Sequence, residues 1–182
     1  MRFTKFDEEE EFDIEVAINL LTSFGQLRLD PLAHRRAVWL CVLATRRILF
    51  GWSGLGCEGQ APHEAIRAAA AWVANGRHPD HFARYCLPAE AIRDGQRVAD
   101  CDACVVEPIA SAAARTAYYT KTASPIDGAI ALCDIRGAVL EGLEHPDGVE
   151  FNDWLINPGV TEAFRLIGVG EDPIATSLGP VD

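Results

Sequence analysis

Residues 30–50 read DPLAHRRAVWLCVLATRRILF and have the spacing of one long amphipathic helix. Asp30 can cap this helix, and Pro31 suits its first position, where a backbone N–H has no partner within the helix. Four arginines recur at intervals of eleven residues, or three turns, and therefore share one side of the helix, namely Arg35, Arg36, Arg46 and Arg47. The opposite side is apolar and is predicted to be buried, through Val38, Val42, Ile48 and Leu49.

Helical spacing recurs along the rest of the chain, whereas the alternation that is typical of strands is almost absent. Further helices are predicted over residues 10–24, 61–75, 79–86, 88–104, 150–156 and 161–167, and Pro108 is predicted to begin another. Ser124-Pro125-Ile126-Asp127 is the clearest start signal, because it combines a cap, a proline and an acid. The helix that follows is predicted to bury one stripe, formed by Ile126, Ile130, Cys133, Gly137 and Leu140.

The sequence therefore predicts an all-α fold, a single-domain helical bundle or orthogonal helical array of about seven to nine helices. A chain of 182 residues with 49% apolar and 24% charged residues is sufficient for one well-packed core. The domain is predicted to span residues 1–182, with flexible ends over residues 1–13 and 168–182. The acidic start, without an apolar run long enough for a bilayer, indicates a cytoplasmic protein with reduced cysteines.

The net charge of −11 is concentrated at the two ends of the chain. Residues 1–30 hold eight acids and three bases, residues 141–182 hold nine acids and one base, and the middle is nearly neutral. Nucleic acids and anionic membranes attract clustered Lys and Arg, so neither is expected to be a direct partner. A basic protein partner fits this distribution, and so does an ordinary solvated surface.

Two close pairs of potential ligands suggest a zinc site, His78 with His81 and Cys101 with Cys104. The alternative interpretation is that these residues have a structural role without a metal, because the histidines lie at the start of a helix and the cysteines on one face of a helix. We expect no metal, no cofactor and no catalytic residue. A redox role for the cysteine pair is disfavoured because the neighbouring Asp100 and Asp102 would raise the pKa of a thiol.

The arginines of the second helix admit two interpretations. They could form a patch that binds an acidic ligand or nucleic acid. In a chain this acidic, internal pairing with Asp or Glu from neighbouring helices is the favoured interpretation.

The order of segments resembles the immunity-protein family of bacterial polymorphic toxin systems. The resemblance rests on RAVWLCVLATRRIL at residues 36–49, PHEAIRAAAAWVANG at residues 62–76, and the Ala-rich helices over residues 109–119 and 126–139. It covers roughly residues 36–140 and implies an all-helical protein that neutralises a toxin through a tight complex. It implies no catalytic residue, and the histidines that the family tends to carry in its later helices are missing between His81 and His145.

The combined expectation is an immunity protein that is not an enzyme and that binds a cognate, basic toxin. The predicted contact residues are acidic side chains near the N-terminus and two aromatic anchors, namely Glu8, Glu9, Glu10, Glu11, Asp13, Trp52 and Trp154. The acids that follow Glu141 are the alternative to the N-terminal acids. Two alternatives stay open. One is a zinc-binding helical protein that uses His78, His81, Cys101 and Cys104. The other is a different acidic inhibitor, such as an antitoxin or a phage-encoded mimic of nucleic acid.

Overall fold

A computed structural model describes residues 12–54, 60–78, 103–140 and 148–167. Six helices make up this part of the chain, and it contains no strand, so the predicted all-α class is confirmed. They are α1 (Ile14–Thr22), α2 (Pro31–Gly54), α3 (Ala61–Asn75), α4 (Ala103–Thr122), α5 (Pro125–Leu140) and α6, which runs without a break through Gly148–Trp154, Leu155–Gly159 and Val160–Ile167. The predicted total of seven to nine helices is not confirmed by these ranges. The helix predicted over 79–86 lies outside them, as does the helix predicted over 88–104 except for its last two residues.

The first helix begins later than residue 10, the predicted start, because Asp13 caps it. The Asp13 carboxylate accepts hydrogen bonds from the backbone N–H groups of Glu15 and Val16 at 2.8 and 2.9 Å. Ala17 and Leu21 are buried, whereas Ile14 is 44% exposed. The chain then turns at Gly25, whose φ of +131° favours glycine.

The central helix α2 starts where the sequence predicts. Asp30 Oδ1 accepts a hydrogen bond from the backbone N–H of Leu32 at 2.9 Å. The helix continues to Gly54, four residues past its predicted end at Phe50. Trp52 lies in this extension and is 1% exposed. α2 packs against α3, α4, α5 and α6, and its residues Val38, Val42, Ile48 and Leu49 are buried as predicted.

Helices α3 and α4 pack on each other and on α2. α3 ends at Gly76 in the left-handed conformation, with φ of +66°, as the Asn75-Gly76 pair predicts. The start predicted for α4 at Pro108 is wrong, since the helix begins at Ala103 and contains this proline. Pro108 has no N–H, so the helix lacks the bond that this residue would donate to the carbonyl of Cys104.

The face of α5 that the sequence predicts to be buried is the wrong one. The buried residues lie on the opposite side of the helix and are Gly128, Ala129, Ala131, Leu132, Ile135, Ala138 and Val139. Gly128 sets this orientation, because a Cβ there would lie 2.6 Å from Tyr119 Cε1 and 2.8 Å from Leu21 Cδ1. Only glycine lets α4 and α1 approach α5 this closely.

The C-terminal helix α6 was predicted as two short helices with a break between residues 156 and 161. The structure bridges this break with a π-helical turn at Leu155–Gly159, where the Val160 N–H bonds to the Leu155 carbonyl. Such a turn admits Pro158 without ending the helix. α6 contributes Phe151, Leu155 and Ala163 to the single hydrophobic cluster that all six helices share.

Candidate partner-binding surfaces

The arginine side of α2 is used for internal contacts, but among the described residues these contacts are not with Asp or Glu. Arg35 reaches the C-terminal end of α3, where its Nε donates to the Val73 carbonyl at 2.6 Å and its Nη2 to the Ala74 carbonyl at 3.2 Å. Carbonyls at a helix C-terminus lack partners within the helix and carry partial negative charge, so they attract a guanidinium as a carboxylate would. Within the described part of the chain, Arg35 therefore pairs with backbone carbonyls and not with the predicted carboxylate.

Arg36 and Arg47 contact aromatic rings of α6 instead. The guanidinium of Arg47 lies over the Trp154 ring at 4.4 Å from its centroid, and that of Arg36 lies over the Phe164 ring at 4.8 Å. We call these four residues the Trp154 surface. Phe164 is 39% exposed, Trp154 is partly buried and Arg47 is exposed, so the rings are fixed in position but reachable from solvent.

Residues of α6 also border the Trp154 ring, in addition to Arg47. Gly159 lies close to the indole, since a Cβ at this position would lie 3.4 Å from Trp154 Cη2 and 3.1 Å from Leu40 Cδ1. Phe151 flanks the ring with its centroid 5.9 Å away. The indole is thus bordered by a glycine, a phenyl ring and a guanidinium.

The other predicted contact residues have different environments. Trp52 is a core residue, so its indole is not available as the surface anchor that the sequence suggests. Asp13 is exposed and caps α1, which leaves part of its carboxylate open to solvent. Glu8, Glu9, Glu10 and Glu11 lie outside the described residues.

A second surface, which the sequence reasoning assigned to the core, runs along α5. Ile126 and Leu140 are 51% and 56% exposed, and Ile130, Cys133 and Gly137 between them are half-buried. We call these five residues the α5 seam. They are spaced by four, three, four and three residues, which is the heptad repeat of a helix that packs along another helix.

A polar cluster of Asp134, Ser111 and Arg115 borders the seam at Asp134. Asp134 Oδ2 accepts a hydrogen bond from Ser111 Oγ at 2.6 Å and lies 3.2 Å from Arg115 Nε, so the cluster joins α5 to α4. Burial raises the pKa of Asp134 above its usual range, and the bonds from Ser111 and Arg115 oppose this shift. The carboxylate is therefore held in one place beside the seam.

The buried polar groups at the centre of the bundle are not arranged as reactive groups. His34 Nε2 donates to the Tyr119 carbonyl at 2.9 Å, and burial lowers the pKa of this histidine. Burial raises the pKa of both Cys41 and Tyr119, so the thiol and the phenol remain protonated. Cys41 Sγ donates to the Gly128 carbonyl at 3.8 Å. These contacts join α2, α4 and α5, and neither Cys41 nor Tyr119 is activated as a nucleophile.

Most of the predicted zinc site lies beyond what the structure describes. His78 stacks on Trp72, with ring centroids 6.1 Å apart. His81 and Cys101 lie outside the described residues, as does the side chain of Cys104. Within residues 12–54, 60–78, 103–140 and 148–167, no three His, Cys, Asp or Glu residues are grouped as metal ligands. The zinc alternative stays a prediction.

The same ranges contain no helix that is long and apolar enough to span a bilayer. Comparisons with protein-family models, with curated proteins and with solved structures give no match.

Proposed function

We propose that this chain is an inhibitor of the immunity type, which acts in the cytoplasm and neutralises a cognate, basic bacterial toxin by forming a tight protein–protein complex. The observation that supports this most is the Trp154 surface. Residues that dominate binding energy at protein interfaces are enriched in Trp, Tyr and Arg, and here Trp154 and Arg47 stand together on the surface.

The rigidity of this surface favours tight binding. Association costs free energy when side chains that move freely in the unbound protein become fixed. The indole of Trp154 is already bordered by Arg47 at 4.4 Å and by Gly159, and it packs on the core. A partner that covers this ring therefore loses little side-chain entropy and gains the burial of a large aromatic surface.

The charge of the chain favours a basic partner. The net of −11 repels nucleic acids and anionic membranes and attracts cationic proteins over several ångströms. Acids steer the encounter and accelerate association, whereas the aromatic contact slows dissociation. This division of roles explains how an acidic protein can use a docking surface that itself carries Arg36 and Arg47.

Co-purification with the product of the adjacent gene tests the proposal. The chain and this product are expressed together, and the affinity is measured with the purified components. We expect a stable complex, and we expect Trp154→Ala and Arg47→Ala each to weaken it. The loss for the tryptophan is about 2 kcal/mol or more, which is about thirty-fold in Kd. Arg47 is exposed, so its replacement keeps the fold even if loss of Trp154 disturbs α6.

Tyr118→Ala provides the matched control, because Tyr118 is a 44% exposed aromatic residue on a different helix, α4. This variant should bind as the wild type does. Absence of a complex at micromolar concentrations, or equal losses in the control and in the two Trp154-surface variants, would contradict the proposal.

A further inference from the structure

We propose that the α5 seam is a docking site for a basic amphipathic helix of the partner protein. This inference rests on the proposed function and identifies a second contact within the same complex. The seam extends over five residues, Ile126, Ile130, Cys133, Gly137 and Leu140, and spans about 21 Å along the helix axis. An exposed apolar stripe with heptad spacing is the surface that a second helix covers in a coiled coil or a helix-binding groove.

The charges beside the seam indicate which charge a docking helix should carry. Asp127 follows Ile126 and Asp134 follows Cys133, so two acids lie one heptad apart on the same flank of α5, and in the sequence Glu141 follows Leu140. Glu141 lies outside the described residues. On the other flank Arg136 binds the Phe12 carbonyl, and the next residue, Asp13, brings a further carboxylate to this side of α5.

Two arginines lie next to the seam, and both are engaged within the chain. Arg136 Nη1 donates to the Phe12 carbonyl at 3.3 Å, and Arg115 pairs with Asp134 at 3.2 Å. Beside the apolar stripe, Asp13 is exposed and Asp127 is half-buried. Lys or Arg at the flanking positions of a docked helix would meet these carboxylates, whereas Glu or Asp there would be repelled.

A second copy of this chain is a poorer occupant than a basic helix. An antiparallel copy centred on Cys133 would set Asp134 opposite its own equivalent and bring two chains of net charge −11 together. Like charges at close range oppose such pairing, and this repulsion decides between the two occupants.

Gly137 allows another helix to approach the seam closely, because it has no side chain. A Cβ built at this position has no atom within 4 Å, so the space above Gly137 is open. A large side chain of a docked helix can enter that space, as a knob enters a hole. A side chain introduced at residue 137 would fill the space without clashing inside the chain, and it would therefore block docking while leaving the fold intact.

The test uses two designed peptides of about three heptads, with Leu at the a and d positions and either Lys or Glu at e and g. Each peptide carries a fluorophore, and binding to the full chain is measured by anisotropy. We expect the Lys peptide to bind and the Glu peptide to bind at least about ten-fold more weakly. We expect Gly137→Gln and the double variant Ile126→Gln/Leu140→Gln each to weaken the Lys peptide at least about ten-fold.

Leu29→Gln serves as the matched control, since Leu29 is a 79% exposed apolar residue in the turn between α1 and α2. Three results would overturn the inference: no binding of the Lys peptide at about 0.1 mM, equal binding of the two peptides, or undiminished binding by a folded Gly137→Gln variant. Self-association of the wild type that Gly137→Gln abolishes would assign the seam to a second copy and would also overturn it.

The failure of this inference differs from the failure of the proposed function. If the complex with the adjacent gene product forms and needs Trp154 but tolerates Gly137→Gln, the seam is not part of the interface and the proposed function stands. If no complex forms with that product, the proposed function loses its support whatever the designed peptides do.

Discussion

Replacing Gly128 by alanine tests the packing that orients α5. The new Cβ would lie 2.6 and 2.9 Å from two carbons of the Tyr119 ring and 2.8 Å from Leu21 Cδ1. Tyr119 and Leu21 are both 0% exposed, so neither side chain can swing into solvent to make room. Overpacking of this kind costs about 1–3 kcal/mol, whereas alanine in place of glycine within a helix gains about 0.5–1 kcal/mol.

Gly137→Ala is the matched control, because it makes the same chemical change on the same helix in open space. It should stabilise the protein by about 0.5–1 kcal/mol. The helix-propensity gain cancels between the two variants, so their difference is the packing cost alone, about 1–3 kcal/mol.

Urea denaturation followed by circular dichroism measures this difference. The midpoint for Gly128→Ala should fall below that for Gly137→Ala by about 0.5–1.5 M, given a denaturant slope of about 2 kcal/mol per M. Equal midpoints, or a more stable Gly128→Ala, would refute the close approach of α4 and α1 to α5, and with it the assignment of the seam to the exposed side.

Two further variants test contacts of α2. Arg35→Ala removes both hydrogen bonds to the C-terminal carbonyls of α3 and should lower the free energy of unfolding by about 1–3 kcal/mol. The control Arg28→Ala, at an exposed position, should leave the thermal midpoint almost unchanged. Equal midpoints for the two variants would contradict the capping role of Arg35. Because burial lowers the pKa of His34, its contribution to stability is complete above its unfolded value of 6.5 and is lost as the pH falls through its lowered folded value. The wild type should therefore lose more stability than His34→Gln between about pH 7 and about pH 5 in urea titrations, and parallel losses would show that His34 does not titrate on unfolding.

The ends of several helices could be predicted because they depend on local chemistry. Asp30 and Pro31 act within one turn of the start of α2, and Gly76 adopts the left-handed conformation that ends α3. Signals of this kind need no tertiary information. The start predicted at Pro108 was wrong because a proline removes one helix bond, and the packing of α4 on α3 and α5 outweighs this loss.

The orientation of α5 and the contacts of the arginines could not be predicted from spacing. α5 has apolar or small residues on almost every side, so its periodicity does not say which stripe is buried. The close contact of Gly128 with Tyr119 decides the orientation, and these residues are nine positions apart on different helices. One signal was present in the sequence: each of Ile126, Cys133 and Leu140 is followed directly by an acid, which is typical of a boundary with solvent.

The exposure of Trp52 and Trp154 depended in the same way on partners that lie elsewhere in the chain. Trp52 is buried because α2 continues four residues past the predicted end at Phe50. Trp154 stays at the surface because Gly159 and Arg47 hold its ring there. Two tryptophans that look equivalent in sequence therefore have different roles.

Docking of a basic protein partner is tested most directly by the salt dependence of the association rate with the product of the adjacent gene. The rate constant is measured by stopped-flow fluorescence, with the tryptophans as the signal. We expect it to fall at least about ten-fold between about 0.05 and about 0.5 M salt, because screening weakens the attraction exerted by a chain of net charge −11. A rate constant that does not change over this range, or a product that does not bind at all, would contradict the proposed mode of action.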